Sequence, residues 1–294
     1  MMADESRIPA WARTPSRRPR AVVLDRRAGA DPLGRELVEI IARQLDVVEE
    51  GTELQDPERL DEVDLLVVLG GDGSILRAAQ QMGTQQRPVI GINLGRLGFL
   101  AAISPGEVES ALASIVSGDC TITSHLMLKC SLIRDGAVQM EQLGLNEAAI
   151  RVGKPFSLLD IDLYVDSKLA TTYSCDGLII STPVGSTAHS LSAGGPILRK
   201  TMQAFVIAAI SPHTLTVRPV VDSAERIFEM RVRQADVVAS LVVDGQLLAQ
   251  LGPDDRVRIE RASESFQLIE VAGHDDYQTL REKLDWGGRI RHKK

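Results

Sequence analysis

The chain has 294 residues, a formal net charge of −7, 44% hydrophobic residues and 25% charged residues. This composition is ordinary for a globular protein with a sizeable core, and the acidic balance argues against a nucleic-acid partner, which would need clustered Lys and Arg. No apolar stretch approaches the roughly 20 residues of a membrane-spanning helix, so we expect no membrane partner. The length suits one large domain or two smaller ones.

The chain begins with a segment that does not resemble a folded element. Residues 1–19 mix Pro, Arg and acidic residues without an apolar core, which predicts a disordered tail rather than a targeting peptide. Cys120, Cys130 and Cys175 are odd in number and lack the CxxC spacing. We interpret them as reduced thiols and expect a cytoplasmic protein.

The next part of the chain alternates short apolar runs with amphipathic stretches. Strands are predicted at 21–24, 65–69 and 88–92, and helices around 37–45, at 74–82 and at 108–116. This alternation predicts an α/β domain, over residues 20–122, with a parallel sheet and helices on both faces.

The pattern changes at about residue 121. Strand-like runs follow at 128–133, 158–165, 178–180, 215–221, 227–232, 237–243 and 257–259, with turn dipeptides such as Asp244-Gly245 between them. Apolar and acidic residues alternate within 158–165, as expected of a half-exposed antiparallel strand. We therefore expect a mainly antiparallel all-β domain over 123–274 and a C-terminal helix within 275–294.

A glycine-rich turn, Gly70-Gly71-Asp72-Gly73-Ser74, lies between a predicted strand and a predicted helix. Glycines allow a sharp turn and a close approach of the backbone to a ligand, and a helix start favours phosphate. Gly70, Gly71, Gly73 and Ser74 are therefore candidate phosphate-binding residues. A carboxylate in such a cradle repels the ligand unless it accepts a proton or holds a metal, so Asp72 is a candidate catalytic residue. The alternative is that Asp72 only caps the helix.

Two further segments could bind a nucleotide. Residues 176–196 pack hydroxyls and glycines into one loop, and these groups could bond ribose, phosphate and adenine edges, although a polar linker is the alternative. Asn146-Glu147 could bind a base and a sugar diol, although an exposed polar turn is the alternative.

The histidines form no HExxH motif, which argues against a metal site built on histidines.

These motifs together resemble those of bacterial-type NAD kinases. The resemblance covers about residues 20–290 and rests on the glycine turn, NLGRLGFL at 93–100, Asn146-Glu147, the block at 176–197, PHTLTVRP at 212–219, Asp244-Gly245-Gln246 and LREKLDWGG at 280–288. The long hydroxyl-rich block is the most specific part. Phosphofructokinases and lipid kinases carry related glycine turns, so a kinase for a sugar phosphate or a lipid is one alternative. A non-catalytic dinucleotide sensor is another.

The resemblance implies transfer of a phosphoryl group from ATP to the 2′-hydroxyl of the adenosine ribose of NAD, giving NADP. It implies Asp72 as general base and a set of substrate-binding residues, namely Gly73, Asn146, Glu147, Asp176, Thr187, Ala188, His189, Ser190, Leu191, Ser192 and Gln246. Mg²⁺, or another divalent cation, would bind mainly through the donor phosphates, so no protein metal ligands are expected. The resemblance also implies a homodimer or homotetramer and a C-terminal helix that packs on the first domain. Polyphosphate as donor and NADH as acceptor remain open.

The sequence differs from the usual pattern at four positions. His189 replaces a frequent tyrosine, His125 replaces a frequent arginine, and Ser157 and Ser174 replace larger or basic residues of some relatives. We expect these differences to affect the contacts with the dinucleotide.

Overall fold

The structure, a computed structural model, describes residues 11, 17–25, 32–95, 98–153, 158–234, 238–272 and 276–285. The chain divides into two compact units, the first made of residues 1–124 with 267–294 and the second of residues 125–266. The domain boundaries expected from the sequence remain predictions.

The first unit is an α/β domain with a parallel sheet, as predicted. Its strands are β1 (Arg20–Asp25), β2 (Asp46–Gly51), β3 (Leu65–Leu69) and β4 (Val89–Ile92), and its first helices are α1 (Pro32–Gln44), α2 (Asp72–Met82) and α3 (Val108–Ser117). The strands are ordered β2-β1-β3-β4, and all neighbours are parallel. The sequence did not predict β2, because this half-exposed strand at the end of the order reads DVVEEG and lacks an apolar run.

Helices cover both faces of this sheet, as predicted. On one face, strand residues such as Val67 and Ile90 pack against Leu37 of α1 and Leu112 of α3. On the other face α2 lies against Gly91, where an added Cβ would lie 2.5 Å from the Ile75 Cδ1 atom. Glycine at this position therefore lets α2 approach the sheet closely.

The second unit is built from antiparallel strands, as predicted. They are β5 (Thr121–Arg134), β6 (Ala137–Gly144), β7 (Glu147–Val152), β8 (Leu159–Val165), β9 (Lys168–Cys175), β10 (Gly177–Ser181), β11 (Ala204–Ile210), β12 (Val220–Ser223), β13 (Phe228–Val232), β14 (Ala239–Val243), β15 (Gln246–Leu251) and β16 (Arg256–Glu270). One set is ordered β16-β13-β8-β9, and the other β12-β11-β10-β7-β14-β15. The core forms where alternate residues of both sets meet, for example Ile161, Phe228, Ile150 and Phe205.

Two strand predictions for the second unit are wrong in part. The strand expected at 215–221 begins only at Val220, and Leu215 is 93% exposed. Asp162, expected on a half-exposed face, is buried, because it accepts a 2.5 Å hydrogen bond from the Thr172 hydroxyl and pairs with Arg233. Five strands were missed, namely β6, β7, β9, β11 and β15.

The C-terminal helix α5 (Asp276–Leu284) belongs to the first unit. Trp286 lies outside the described residues. Within the predicted tail, Trp11 is buried and donates a 2.9 Å hydrogen bond from Nε1 to the Ile115 carbonyl, a contact that a disordered tail does not predict. Among the described residues, no helix has the length and apolar character needed to cross a membrane.

Candidate active site

The glycine turn of the first unit uses its three glycines differently. Gly70 has a φ of +151°, and an added Cβ would lie 2.3 Å from the Ser74 Oγ atom, so the turn itself requires glycine there. Gly71 and Gly73 have nothing within 4 Å of an added Cβ. The space beside these two glycines is therefore open to a ligand.

Asp72 is the first residue of α2, two residues earlier than predicted. Its Oδ2 atom accepts a 2.7 Å hydrogen bond from the Phe99 N–H, and its Oδ1 atom accepts hydrogen bonds of 3.0 Å from the N–H groups of Leu100 and Ala101. The helix-cap interpretation is wrong, because the N-cap is Gly71 and no side chain caps the helix. The backbone at 99–101 instead forms a nest of N–H donors around the carboxylate.

Gly98 makes this nest possible. An added Cβ at Gly98 would lie 2.0 Å from the Asp72 Oδ1 atom and 3.1 Å from the Ala101 nitrogen. No side chain fits there while Asp72 keeps its position. Arg96 and Leu97, in the same motif, lie outside the described residues.

A cation also reaches Asp72, and sequence reasoning gave it no role. The Lys283 Nζ atom of α5 lies 3.9 Å from the Asp72 Oδ2 atom and 4.5 Å from the centroid of the Phe99 ring. The side chains of Lys283 and Asp72 are 28% and 31% exposed, so water screens the pair in part. The sequence shows a lysine in LREKLDWGG but gives no signal that it lies beside Asp72.

In the second unit, the backbone from Leu145 to Glu147 is held by hydrogen bonds on two sides. The N–H groups of Leu145, Asn146 and Glu147 donate to the Asp244 carboxylate at 2.8, 2.8 and 3.0 Å. The Thr182 N–H donates to the Asn146 carbonyl at 2.8 Å, and its hydroxyl to the Leu145 carbonyl at 2.5 Å. With these backbone groups engaged, the side chains of Asn146 and Glu147 remain for other contacts.

Glu147 is not on an exposed polar turn, so that alternative is wrong. It begins β7 and is 7% exposed, and among the described residues its buried Oε2 atom has no hydrogen-bond partner. Burial, together with the nearby charge of Asp244, raises the pKa of Glu147 to about 8. At neutral pH the side chain is therefore mostly a neutral carboxylic acid.

The hydroxyl-rich segment is not a structureless loop. It contains β10, a 3₁₀ turn at Gly185–Thr187 and the short helix α4 (His189–Ser192). The buried Ser186 hydroxyl donates to the Pro183 carbonyl at 2.6 Å and accepts from the Leu198 N–H at 3.0 Å. The Ser186 hydroxyl thus holds the segment's own backbone, and the Thr182 hydroxyl also accepts a hydrogen bond from the Gly185 N–H at 3.2 Å.

The predicted residues on and before α4 differ in exposure. The Ser190 side chain is fully buried, and its hydroxyl has no partner within the described part of the chain. Thr187, Ala188, His189 and Leu191 are half-buried, while Ser192 is exposed. Burial, and to a smaller degree the charge of Arg151, lowers the pKa of His189, which favours the neutral imidazole.

The predicted residues of this unit form two groups along one sheet. Glu147 lies opposite Ser181, and Arg151 lies opposite Gly177 at the other end of the same pair of strands. Asp176 precedes Gly177 and so lies at the Arg151 end, about 16 Å from the Glu147 end at about 3.3 Å per residue. Gln246 follows the Asp244 turn at the Glu147 end. The segment 187–192 also begins near this end, because an added Cβ at Gly185 would lie 2.2 Å from the Asn146 carbonyl oxygen and the Ala188 N–H donates to the Gly185 carbonyl at 2.8 Å. Ser157 lies outside the described residues.

Comparison with known proteins agrees with these two units. A model of the ATP-NAD kinase N-terminal domain matches residues 31–120, and one of the ATP-NAD kinase C-terminal domain matches residues 145–271. The chain is 59% identical over 229 residues to an NAD kinase of Rhodopirellula baltica, covering 78% of this chain and 74% of that one. It is 40% identical over 229 residues to an NAD kinase of Geotalea daltonii, covering 78% and 81%.

Two solved structures resemble the fold. An NAD kinase from Archaeoglobus fulgidus in complex with ATP has a TM-score of 0.72 and 29% identity, over 90% of this chain and 98% of that one. The yeast NADH kinase complexed with NADH has a TM-score of 0.84, over 95% and 91%, and at 23% identity it supports the fold alone. From the family matches and the identity to bacterial NAD kinases, this chain belongs to the NAD kinase family of ATP-dependent kinases.

Proposed function

We propose that the protein transfers the terminal phosphoryl group of ATP to the 2′-hydroxyl of the adenosine ribose of NAD, giving NADP, with Asp72 as the general base. The observation that carries this role is that the Asp72 carboxylate is fixed in position and still accessible. Three N–H donors hold it at the start of α2, yet its side chain stays 31% exposed. A carboxylate has about four acceptor positions, so one remains for a substrate hydroxyl.

The proton moves late in this mechanism. An alcohol is a far weaker acid than a carboxylic acid, so Asp72 accepts the proton only as the oxygen–phosphorus bond forms in a loose transition state. General-base help of this kind contributes about 10²–10⁴-fold to the rate. Positioning and charge neutralisation at the phosphates contribute the rest of the barrier reduction.

The donor phosphates are proposed to bind at Gly70, Gly71, Gly73 and Ser74. The open space beside Gly71 and Gly73 supports this assignment, since phosphate oxygens can approach the backbone there. The N-terminus of α2, which no side chain caps, favours negative charge at the same point.

The described residues suit a divalent cation that is carried by the nucleotide. No group of three or more His, Cys, Asp or Glu among them is arranged to hold a metal ion. Mg²⁺ would bind mainly through the donor phosphates and waters, beside the proposed phosphate site at the glycine turn. When bound, Mg²⁺ would neutralise charge on the transferring phosphoryl group.

NAD is proposed to bind along the second unit's sheet. Asn146, Glu147, Gln246 and residues 187–192 would hold one part of the dinucleotide, and Asp176 another. The separation of about 16 Å between the two groups supports this division, because a dinucleotide has two nucleosides that need separate contacts. We also propose that the protein is cytoplasmic and forms a homodimer or homotetramer. Gel filtration with light scattering tests the assembly.

The test compares wild-type protein with Asp72→Asn and with Asp119→Asn, which removes an exposed carboxylate of the same unit. Each is incubated with Mg²⁺, with ATP or polyphosphate, and with NAD, NADH, a sugar phosphate or a diacylglycerol. We expect NADP formation from ATP and NAD, and at least about 100-fold slower turnover for Asp72→Asn with NAD binding retained. Near-normal turnover of Asp72→Asn would remove Asp72 from the chemistry. Binding of NAD by the wild type without NADP formation would indicate a sensor.

A further inference from the structure

Two hairpin turns of the second unit have the same sequence and backbone but different side-chain contacts. Asp135-Gly136 has φ angles of 51° and 76°, and Asp244-Gly245 has φ angles of 47° and 78°. Within the described part of the chain the Asp135 carboxylate accepts no hydrogen bond, whereas the Asp244 carboxylate accepts three. The turn alone therefore does not explain what the Asp244 side chain does.

The first effect of Asp244 is on backbone position. Its two oxygens receive N–H groups from three consecutive residues, 145–147, and its own N–H donates to the Glu147 carbonyl at 2.9 Å. Three parallel donors suit an acceptor-only carboxylate. An asparagine could keep the two bonds to Oδ1, but its NH₂ group would face the Leu145 N–H.

The second effect is electrostatic. Asp244 is the charged group that acts on Glu147, and burial acts in the same direction. Across the sheet, β10 presents the uncharged Ser181 to Glu147. Arg151, on the same strand as Glu147, is four residues away, or about 13 Å.

We propose that Asp244 is a positioning residue for the dinucleotide, which fixes the backbone at Asn146 and Glu147 and sets the hydrogen-bonding role of the Glu147 side chain. This inference rests on the proposed function, in which Glu147 contacts NAD. A neutral acid can donate its O–H to a ribose hydroxyl oxygen and accept a hydrogen bond in return, while an ionised carboxylate only accepts. Binding should therefore weaken as Glu147 loses its proton.

The experiment compares wild type with Asp244→Asn and with the matched turn variant Asp135→Asn. Carboxyl-carbon NMR follows the titration of Glu147 without ligand, and calorimetry measures the Kd for NAD from pH 6 to 9. In the wild type the Kd should rise about tenfold per pH unit above about pH 8, the pKa of Glu147. In Asp244→Asn both midpoints should move to lower pH, because the Asp244 charge is one cause of the raised pKa of Glu147, and Asp135→Asn should behave as the wild type.

The outcomes separate the inference from the proposed function. An Asp244→Asn protein that binds NAD more weakly, with both midpoints unmoved, would reduce Asp244 to a structural residue and overturn the inference. If Asp244→Asn does not fold, Glu147→Gln serves instead, because its amide is always a donor. NAD binding by that variant should no longer weaken at high pH, and a persistent weakening would overturn the inference. A wild type that binds no NAD at any pH would refute the proposed function, while the ligand-free titration would still test the effect of Asp244.

Discussion

Each unit contains one aspartate whose carboxylate accepts three backbone N–H groups, and the two differ in what surrounds them. Asp72 receives the N–H groups of residues 99–101, and Asp244 those of residues 145–147. Asp72 stands at a helix start beside open space, with Lys283 3.9 Å away. Asp244 stands at a hairpin turn beside the buried acid Glu147.

The comparison indicates how one arrangement serves two purposes. Backbone donors fix a carboxylate without adding a positive side chain, so the charge of the aspartate remains available to act on something else. We propose that Asp72 acts on a substrate proton and Asp244 on the proton of Glu147. The following variants test whether the two nests differ as this comparison requires.

The largest expected effect comes from closing the Asp72 nest. In Gly98→Ala the new Cβ would lie 2.0 Å from the Asp72 Oδ1 atom, so the carboxylate must move. We expect turnover to fall at least about 100-fold, as for loss of the base, and the free energy of unfolding to fall by about 1–3 kcal/mol through overpacking. NADP formation and urea unfolding measure the two effects.

The control for this variant is Gly106→Ala in the same unit, where an added Cβ meets nothing within 4 Å. It should leave both turnover and stability close to wild type. If Gly98→Ala retained wild-type turnover, the position of Asp72 in its nest would not matter for the reaction.

The sequence predicted the two aspartates' surroundings to different extents. Glycines flanking an acid between a strand and a helix indicated the turn around Asp72, because glycine and helix-start chemistry are local. The nest was not predictable, since its donors are backbone groups 27 to 29 residues away, whose side chains carry no signal. The donors to Asp244 are 97 to 99 residues away, and its turn looked identical to that of Asp135.

The alternation of apolar runs predicted both fold classes, and the errors have physical reasons. The strand β2 is half-exposed and contains several acidic residues. These residues interrupt the alternation of apolar and polar side chains by which a strand is predicted. Asp162 is buried because Thr172 of β9 and Arg233, which follows β13, satisfy its carboxylate. The segment at 176–197 looks like one motif in the sequence, but β10 places Asp176 about 16 Å from Ser181.

A second prediction tests the environment beside Asp244. The pKa of Glu147 is about 8 in the folded protein, against 4.5 for an unperturbed glutamate. The folded state thus holds a proton that the unfolded state releases between these values, so wild-type stability falls as pH rises through this window, by about 1.4 kcal/mol per pH unit. From pH 6 to 7.5 the fall from this group should be about 2 kcal/mol, and Glu147→Gln should lack it.

Urea unfolding at both pH values measures this difference. Glu36→Gln, which changes an exposed carboxylate of α1, is the matched control and should keep the wild-type pH dependence. Equal pH dependence in wild type and Glu147→Gln would mean that Glu147 is already ionised at neutral pH, and the contrast between the two nests would be lost.

A third prediction concerns the open space beside Asp72. Gly73→Ala places a Cβ where the chain itself has no atom within 4 Å, inside the first turn of α2. Folding should be unaffected or stabilised by up to about 1 kcal/mol, since alanine favours helix. Activity should fall about tenfold, or about 1.4 kcal/mol, because the methyl group occupies space that the ligand needs. Steady-state kinetics and thermal unfolding distinguish these effects, and full activity with raised stability would contradict ligand approach at Gly73.

The smallest expected effect concerns the Lys283 cation beside Asp72. Lys283→Met removes the charge but keeps much of the side chain over Phe99. Because the pair is partly exposed, the Lys283–Asp72 ion pair contributes about 0–1 kcal/mol. We therefore expect at most about a fivefold loss of kcat in Lys283→Met. Lys283→Arg should retain most of the wild-type kcat, because it keeps the positive charge. The wild-type advantage should shrink as salt is added, since salt screens exposed pairs. Lys168→Met, an exposed lysine of β9, controls for loss of charge alone. A loss of 100-fold or more would be too large for a screened ion pair and would mean that Lys283 contacts the transferring phosphoryl group.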